Sequence, residues 1–278
     1  MTSRFDGRSV IVTGAASGIG AASARRFHAE GASVLIADVQ EAAGEALADA
    51  MGDRAVFLRT DVSDENSVSA AVDTAVERFG KLDVFFANAG VMGALGPIAK
   101  LRAADIDHTI AVNLRGVILC MKHAVRVMQP RRSGVVLATA SPAALVGGVG
   151  PHVYSATKAG IIGLAQSVAA EVRPDGLRVN AIVPGSILTG MTADIATGDP
   201  RNLEAAAKAL ERSNLIDRPG LPDDIAAAAA FLASDDARFV TGSTFNIDAG
   251  YTYAPGNSPF ARGDWAEPMG MYEGGRHT

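Results

Sequence analysis

The chain has 278 residues, a net charge of −5 at pH 7, 48% hydrophobic and 20% charged residues; that length buries a sizeable core, and the composition is that of a compact soluble protein rather than a disordered one. Weak acidity without a basic block is unsuited to binding nucleic acid or an anionic membrane through bulk charge. The single cysteine, Cys120, allows no intrachain disulfide, suits a reducing, cytoplasmic setting, and reads as core filler inside the apolar run 116–121.

Short β-rich runs alternate with Ala-rich helical ones. Strands are predicted at 9–13, 33–37, 55–58, 82–86, 135–139, 178–183 and 244–247, and helices at 18–30, 41–51, 65–79, 104–129, 152–172 and 222–233. Most strand segments are continuously apolar, the pattern of strands buried on both faces. Strand–helix alternation implies a doubly wound parallel sheet with right-handed crossovers and helices on both faces, an α/β/α sandwich. Without an internal repeat or linker, residues 1–251 read as one domain. Residues 1–8 lack the apolar core of a signal peptide, and the most apolar stretch, 134–150, is too interrupted by Ser141, Pro142 and Gly147-Gly148 to span a membrane. Residues 186–217 are a long insertion after a strand end, expected to act as a substrate lid. The extension 252–278 carries Phe260 and Trp265 among prolines and glycines, so it is either a flexible tail or a segment docked through its aromatics.

Thirty glycines against 5% aromatics is an unusual ratio. Part of that excess lies where the first strand meets its helix, in Thr13-Gly14-Ala15-Ala16-Ser17-Gly18-Ile19-Gly20. Gly14 permits a tight turn, Gly18 lets backbone approach a pyrophosphate, Gly20 lets helix and strand pack closely, and the helix start supplies free N–H groups. Asp38 ends the second strand, where a carboxylate accepts the hydroxyls of an adenosine ribose and repels a 2′-phosphate; Ala15, Ala16, Ser17 and Val39 offer no cation, so NAD is favoured over NADP. Further on, Tyr154 and Lys158 share one helix face. An ammonium beside a phenol lowers its pKa and makes it a proton-transfer group near a hydride carrier. Ser141 follows the fifth strand, either to hydrogen-bond a substrate oxygen or simply to start a turn before Pro142. His152 is a second candidate for lining a pocket. There is no G-x-S-x-G and no cluster with metal-ligand spacing, so no metal site is expected.

Together, 13–20, Asn88-Ala89-Gly90, Asn113, Ser141, Tyr154, Lys158 and Pro184-Gly185-Ser186-Ile187-Leu188-Thr189 resemble the short-chain dehydrogenase/reductase family over residues 5–251. The resemblance implies a Rossmann-type sheet of about seven parallel strands, a nicotinamide cofactor and a homotetramer, with the helices at 104–129 and 152–172 in the dimer contact. It implies that Tyr154 is the general acid/base and that Lys158 binds the nicotinamide ribose and depresses the Tyr154 pKa. Ser141 would polarise the carbonyl, and Asn113 would hold a water of the proton relay. Asp61-Val62 would contact adenine, Asn88 and Gly90 would line the cofactor, and Pro184, Gly185, Ile187 and Thr189 would flank the nicotinamide end. Ala87 departs from the family's N-N-A-G, and Ala140 and Pro142 depart from its usual flanks of Ser141.

Apolar residues at 91–95, 143–149 and 186–195 suggest a neutral, largely hydrophobic secondary alcohol or ketone as the small-molecule substrate. A polyol or sugar dehydrogenase and a 3-oxoacyl-thioester reductase are alternatives. A non-catalytic NAD sensor is disfavoured by the presence of both Tyr154 and Lys158.

Overall fold

Seven strands pair in parallel in the order β3-β2-β1-β4-β5-β6-β7 in the computed structural model, which describes residues 3–210 and 218–253. The strands are β1 Ser9–Thr13, β2 Ser33–Asp38, β3 Ala55–Arg59, β4 Val84–Ala87, β5 Gly134–Thr139, β6 Leu177–Pro184 and β7 Thr244–Ile247. The helices are α1 Gly18–Ala29, α2 Glu41–Met51, α3 Glu65–Phe79, α4 Ala103–Ile110, α5 Gly116–Met128, α6 His152–Val172, α7 Gly190–Thr197, α8 Leu203–Leu210 and α9 Pro222–Ala233.

The continuous apolar runs have a simple cause. Neighbouring residues of a strand point to opposite faces, and both faces here are covered by helices. Ile11, Leu35, Phe85 and Val136 enter one core with residues of α3, α5 and α6. Val10, Val12, Phe86 and Leu137 enter the other, against Phe27 of α1 and Ile225 and Leu232 of α9. Cys120 sits in the first core, where burial pushes its thiol up to about 12, so it is inert packing. Pro184 is the last residue of β6, and the next amide, Gly185 N–H, donates to the Ile247 carbonyl at 2.9 Å.

The helix predicted at 104–129 is helical from 103 to 128 but not α-helical throughout. α4 runs into a π-turn at Ala111–Arg115 before α5 begins. The insertion at 186–217 contributes α7 and α8, while residues 211–217 lie outside the described residues, as do Phe260 and Trp265. No helix among the described residues is long and apolar enough to cross a membrane.

Candidate active site

The strand order reverses between β1 and β4. In an open parallel sheet that reversal separates the following loops and leaves a crevice outside the carboxyl ends. Here the crevice is a cavity of about 730 Å³.

One end is built by the turn from β1 into α1. Gly14 has φ +64°, and a Cβ on it would stand 2.8 Å from the Ala89 Cα. A Cβ on Gly20 would stand 2.0 Å from the Gly14 carbonyl oxygen. The turn is therefore compressed between the loop after β4 and the helix it starts, and only glycine fits at both positions. Ser17 precedes α1 without a side-chain capping bond, and the first turn of α1 holds no acidic residue. Gly18, Ile19 and Gly20, whose amides are the free N–H groups of an uncompensated positive helix end, line the cavity.

Asp38 stands beside that turn, buried, its Oδ2 accepting the Ala16 N–H at 2.9 Å and its Oδ1 the Gln40 N–H at 3.0 Å. The neighbouring strand brings a feature that sequence reading missed: Arg59 is the register partner of Asp38, and its Nε pairs with Glu41 Oε1 at 2.9 Å. Asp61 and Val62 line the same end of the cavity. Ser63 donates to Asp61 Oδ1 through its hydroxyl at 2.7 Å and its amide at 2.9 Å, which holds the Asp61 carboxyl below its ordinary range.

The middle of the site is a hydrogen-bonded brace. Thr13 Oγ1 accepts the N–H groups of Asn88 at 3.0 Å and Ala89 at 3.1 Å. Asn88 Nδ2 donates to the Thr13 carbonyl at 3.1 Å, and Asn88 Oδ1 accepts from Thr139 Oγ1 at 3.1 Å. One side chain after β4 thereby ties β1 to β5, and Ala87 in place of a first asparagine leaves this brace intact. Asn113, 0% exposed and in the middle of the π-turn, grips the next loop. Its Oδ1 accepts the Val91 N–H at 2.8 Å and its Nδ2 donates to the Val91 carbonyl at 2.7 Å. Its side chain therefore positions the loop after β4. Gly90 fits beneath it: a Cβ there would be 3.2 Å from Asn113 Oδ1 and 3.5 Å from Lys158 Nζ.

At the other end, the first two turns of α6 bring Tyr154 and Lys158 to the cavity wall. Lys158 Nζ donates to the Thr139 carbonyl at 2.7 Å and lies 5.5 Å from the centre of the Tyr154 ring. Burial lowers the ammonium from its ordinary 10.5 to about 8. The Tyr154 phenol lies above its ordinary value, because burial disfavours phenolate more than the Ser141 hydroxyl favours it. This departs from the expected depression by Lys158. The ammonium is directed at the Thr139 carbonyl, and desolvation dominates the phenol.

Ser141 starts the turn before Pro142, as one of its two readings expects. Its Oγ accepts the Ala143 N–H at 3.2 Å and caps the short helical turn Pro142–Ala144, while the same hydroxyl faces Tyr154. Pro142 occupies the first position of that turn, where a missing N–H costs nothing, so it does not displace Ser141. His152 is exposed and does not line the cavity. Pro184, Gly185, Ile187 and Thr189 do line it. Thr189 caps α7 in reciprocal bonds with Thr192, whose Oγ1 also donates to the Ile187 carbonyl at 2.7 Å. Thr139 and Tyr251 also line the cavity without having been singled out from sequence. The available signal for Thr139 was a hydroxyl at the carboxyl end of a central strand; Tyr251 had none. Among the described residues, Lys158 is the one Lys or Arg in the lining, and no group of His, Cys, Asp and Glu could hold a metal ion.

Residues 14–252 match a family model described as "Enoyl-(Acyl carrier protein) reductase". Cis-4-hydroxycyclohexanecarboxylate dehydrogenase of Sinomonas cyclohexanicum is 44% identical over 255 residues, covering 91% of this chain and 99% of the relative. Sex determination protein tasselseed-2 of Zea mays is 42% identical over 280 residues, covering 91% of this chain and 83% of the relative. The crystal structure of levodione reductase superposes with a TM-score of 0.83 at 38% identity, covering 90% of this chain and 99% of that one. The chain belongs to the short-chain dehydrogenase/reductase family of oxidoreductases.

Proposed function

We propose that this protein interconverts a secondary alcohol and a ketone with NAD(H), one domain holding both cofactor and substrate. The observation that carries the reading is the convergence of Tyr154, Ser141 and Lys158 on the wall of the same cavity that receives the glycine-rich turn and Asp38. The residues fit the cofactor. Gly14, whose Cβ would meet Ala89 backbone, keeps the turn tight, and Gly90 lines the same cavity without a side chain. The open amides of α1 suit a pyrophosphate, and Asp38 suits a ribose diol. Asp61 and Val62 take the adenine, Asn88 and Gly90 the middle, and Pro184, Gly185, Ile187 and Thr189 the nicotinamide end. When bound, NAD⁺ accepts the hydride, or NADH supplies it.

The protein's part is positioning and proton transfer. The Tyr154 Oη takes the hydroxyl proton of the alcohol in one direction and returns it to the developing alkoxide in the other. The Ser141 hydroxyl donates to the substrate oxygen as its charge grows. Lys158, an ammonium below about pH 8, holds the nicotinamide ribose, and Asn113 keeps the loop at Gly90 and Val91 in place. Lys158 as the one Lys or Arg among the described lining residues, together with Val91, Met92, Val149, Met191 and Ile195, favours a neutral, largely hydrophobic substrate. Asp38 and the net charge of −5 favour this over an acyl-carrier substrate, which would call for a basic docking face. A cytoplasmic homotetramer with 186–217 as lid completes the reading.

The test is a panel of secondary alcohols, polyols and anionic alcohols with NAD⁺ and NADP⁺. Turnover should be fastest for hydrophobic alcohols with NAD⁺. Preference for phosphorylated substrates, or no cofactor reduction at all, overturns the proposal.

Thr139 gives a second check. Thr139→Val leaves Asn88 Oδ1 without its donor while keeping the carbonyl that receives Lys158. We expect a stability loss of about 1–2 kcal/mol and a several-fold rise in KM for NAD⁺, both restored by Thr139→Ser. Chemical denaturation and steady-state kinetics read the two effects.

A further inference from the structure

Just outside the lining of the cavity, next to the corner where Asp38 stands, lie two further charged side chains, Glu41 and Arg59. Asp38 is the last residue of β2, and its register partner on β3 is Arg59. Partners in adjacent parallel strands are about 4.8 Å apart and direct their side chains to the same face. Arg59 therefore rises beside the carboxylate, next to Thr60 and Asp61, which line the cavity. The turn from β2 into α2 places Glu41 within reach, and Arg59 Nε meets Glu41 Oε1 at 2.9 Å, with both side chains about 60% exposed. With Asp61, whose carboxyl also lies within electrostatic reach of Arg59, this corner holds three carboxylates and one guanidinium, a charge of −2.

We infer that Glu41 is a second determinant of cofactor choice, and that the pair it makes with Arg59 masks a latent site for the 2′-phosphate of NADP(H). The inference rests on the proposed reading that Asp38 receives the ribose of NAD(H). A planar guanidinium is the side chain best suited to a phosphate, which it can take in two parallel hydrogen bonds. Arg59 is the cation in place to do so, since Ala15, Ala16, Ser17 and Val39 carry none. An exposed ion pair is weak. Glu41 thus acts less by locking Arg59 than by adding negative charge where a phosphate dianion would sit. Removing Asp38 alone brings the corner to −1 and leaves Arg59 shared between Glu41 and Asp61. Removing Glu41 as well brings it to neutrality and releases the guanidinium from its ion pair.

The experiment is calorimetric titration of the full chain with NAD⁺ and with NADP⁺, needing no substrate and no turnover. The proteins are the wild type, Asp38→Ser, Asp38→Ser/Glu41→Gln and Asp38→Ser/Glu41→Gln/Arg59→Gln. Wild type should bind NAD⁺ more tightly than NADP⁺, and Asp38→Ser should narrow the gap. Glu41→Gln in that background should tighten NADP⁺ about tenfold, the size of one charge-assisted phosphate contact, with little change for NAD⁺. Arg59→Gln should remove that gain. The inference is overturned if Glu41→Gln adds nothing for NADP⁺ or if the gain survives loss of Arg59, with the Asp38 reading left standing. If wild type binds NADP⁺ as tightly as NAD⁺, or Asp38→Ser leaves the ratio unchanged, the Asp38 reading fails and takes the inference with it. Positions 41 and 59 are exposed, so the added substitutions leave folding intact, and a thermal melt of each variant checks this.

Discussion

Phenylalanine at position 154 should lower turnover by roughly 10²- to 10⁴-fold or more while leaving NAD⁺ binding within about twofold. The argument rests on which contacts belong to the hydroxyl and which to the rest of the site. The ring is retained, so the wall it forms beside Lys158 is unchanged. Lys158 holds its place through the Thr139 carbonyl at 2.7 Å and not through the Tyr154 oxygen. Ser141 keeps its bond to the Ala143 N–H. What disappears is the one group placed to carry the proton. The pH dependence has a definite sign. Burial raises the phenol above its ordinary value, so in the free protein phenolate is scarce at neutral pH and becomes more abundant as pH rises. Alcohol oxidation, which needs phenolate, should therefore accelerate with pH from neutrality upward. Ketone reduction, which needs the protonated phenol, should hold level up to about pH 8 and fall above it, first as Lys158 loses the charge that holds the ribose and then as the phenol ionises. In Tyr154→Phe both dependences should vanish with the turnover. Cofactor titration and pH-rate profiles in both directions make the check, and a variant that keeps wild-type turnover removes Tyr154 from the mechanism.

The parts of this molecule that were legible in sequence are those where one local rule and the global fold agree. Strands β1 and β2 were readable because burial on both faces demands an unbroken apolar run, which no surface strand needs. Helix α6 spans 152–172, as the sequence pattern predicts, and lies between Pro151 and Pro174, where a helix starts and stops readily. The family motifs then indicated which residues meet at one cavity. The parts that were not legible depend on contacts between distant segments. The π-turn at Asn113 leaves composition and periodicity nearly unchanged, so 104–129 reads as one helix; the bonds Asn113 makes from that turn reach Val91, 22 positions away. The Tyr154 phenol was expected to be lowered because four residues along a helix suffice to bring Lys158 near. Spacing along the helix carries no information about how much water is removed or where the ammonium points. Arg59 was invisible for a third reason. Its relation to Asp38 is a strand register, set by how β3 settles against β2. A reader scanning the glycine-rich turn for a cation looks in the wrong stretch of chain.

Alanine at position 20 should remove cofactor binding and destabilise the fold by about 3 kcal/mol, a larger cost than most single substitutions. The added Cβ would stand 2.0 Å from the Gly14 oxygen, 2.7 Å from the Gly14 carbonyl carbon and 2.9 Å from the Ala15 Cα. All three are backbone atoms, so no side chain can rotate away. Relief requires the turn and α1 to separate by more than about 1 Å, since ordinary carbon–oxygen contact begins near 3.4 Å. The turn cannot retreat. Gly14 is backed by Ala89, itself held by Thr13 Oγ1, and Asn88 Nδ2 is bonded to the Thr13 carbonyl. Nor can the helix move freely, because Phe27 of α1 is fully buried and packs edge-on against Phe5 at 5.0 Å. Whichever side yields, Gly18 and Ile19 leave their places in the cavity lining. Gly18→Ala is the graded comparison: its Cβ would meet only the Thr189 side chain at 3.2 Å, with φ +49° adding backbone strain of about 1 kcal/mol. Denaturant titration should rank wild type above Gly18→Ala and Gly18→Ala above Gly20→Ala. Calorimetry with NAD⁺ should show weakened binding in the first variant and none in the second. Wild-type stability and affinity in Gly20→Ala would mean that the turn is not compressed between α1 and the loop after β4, and the steric account of this nucleotide cradle would fall.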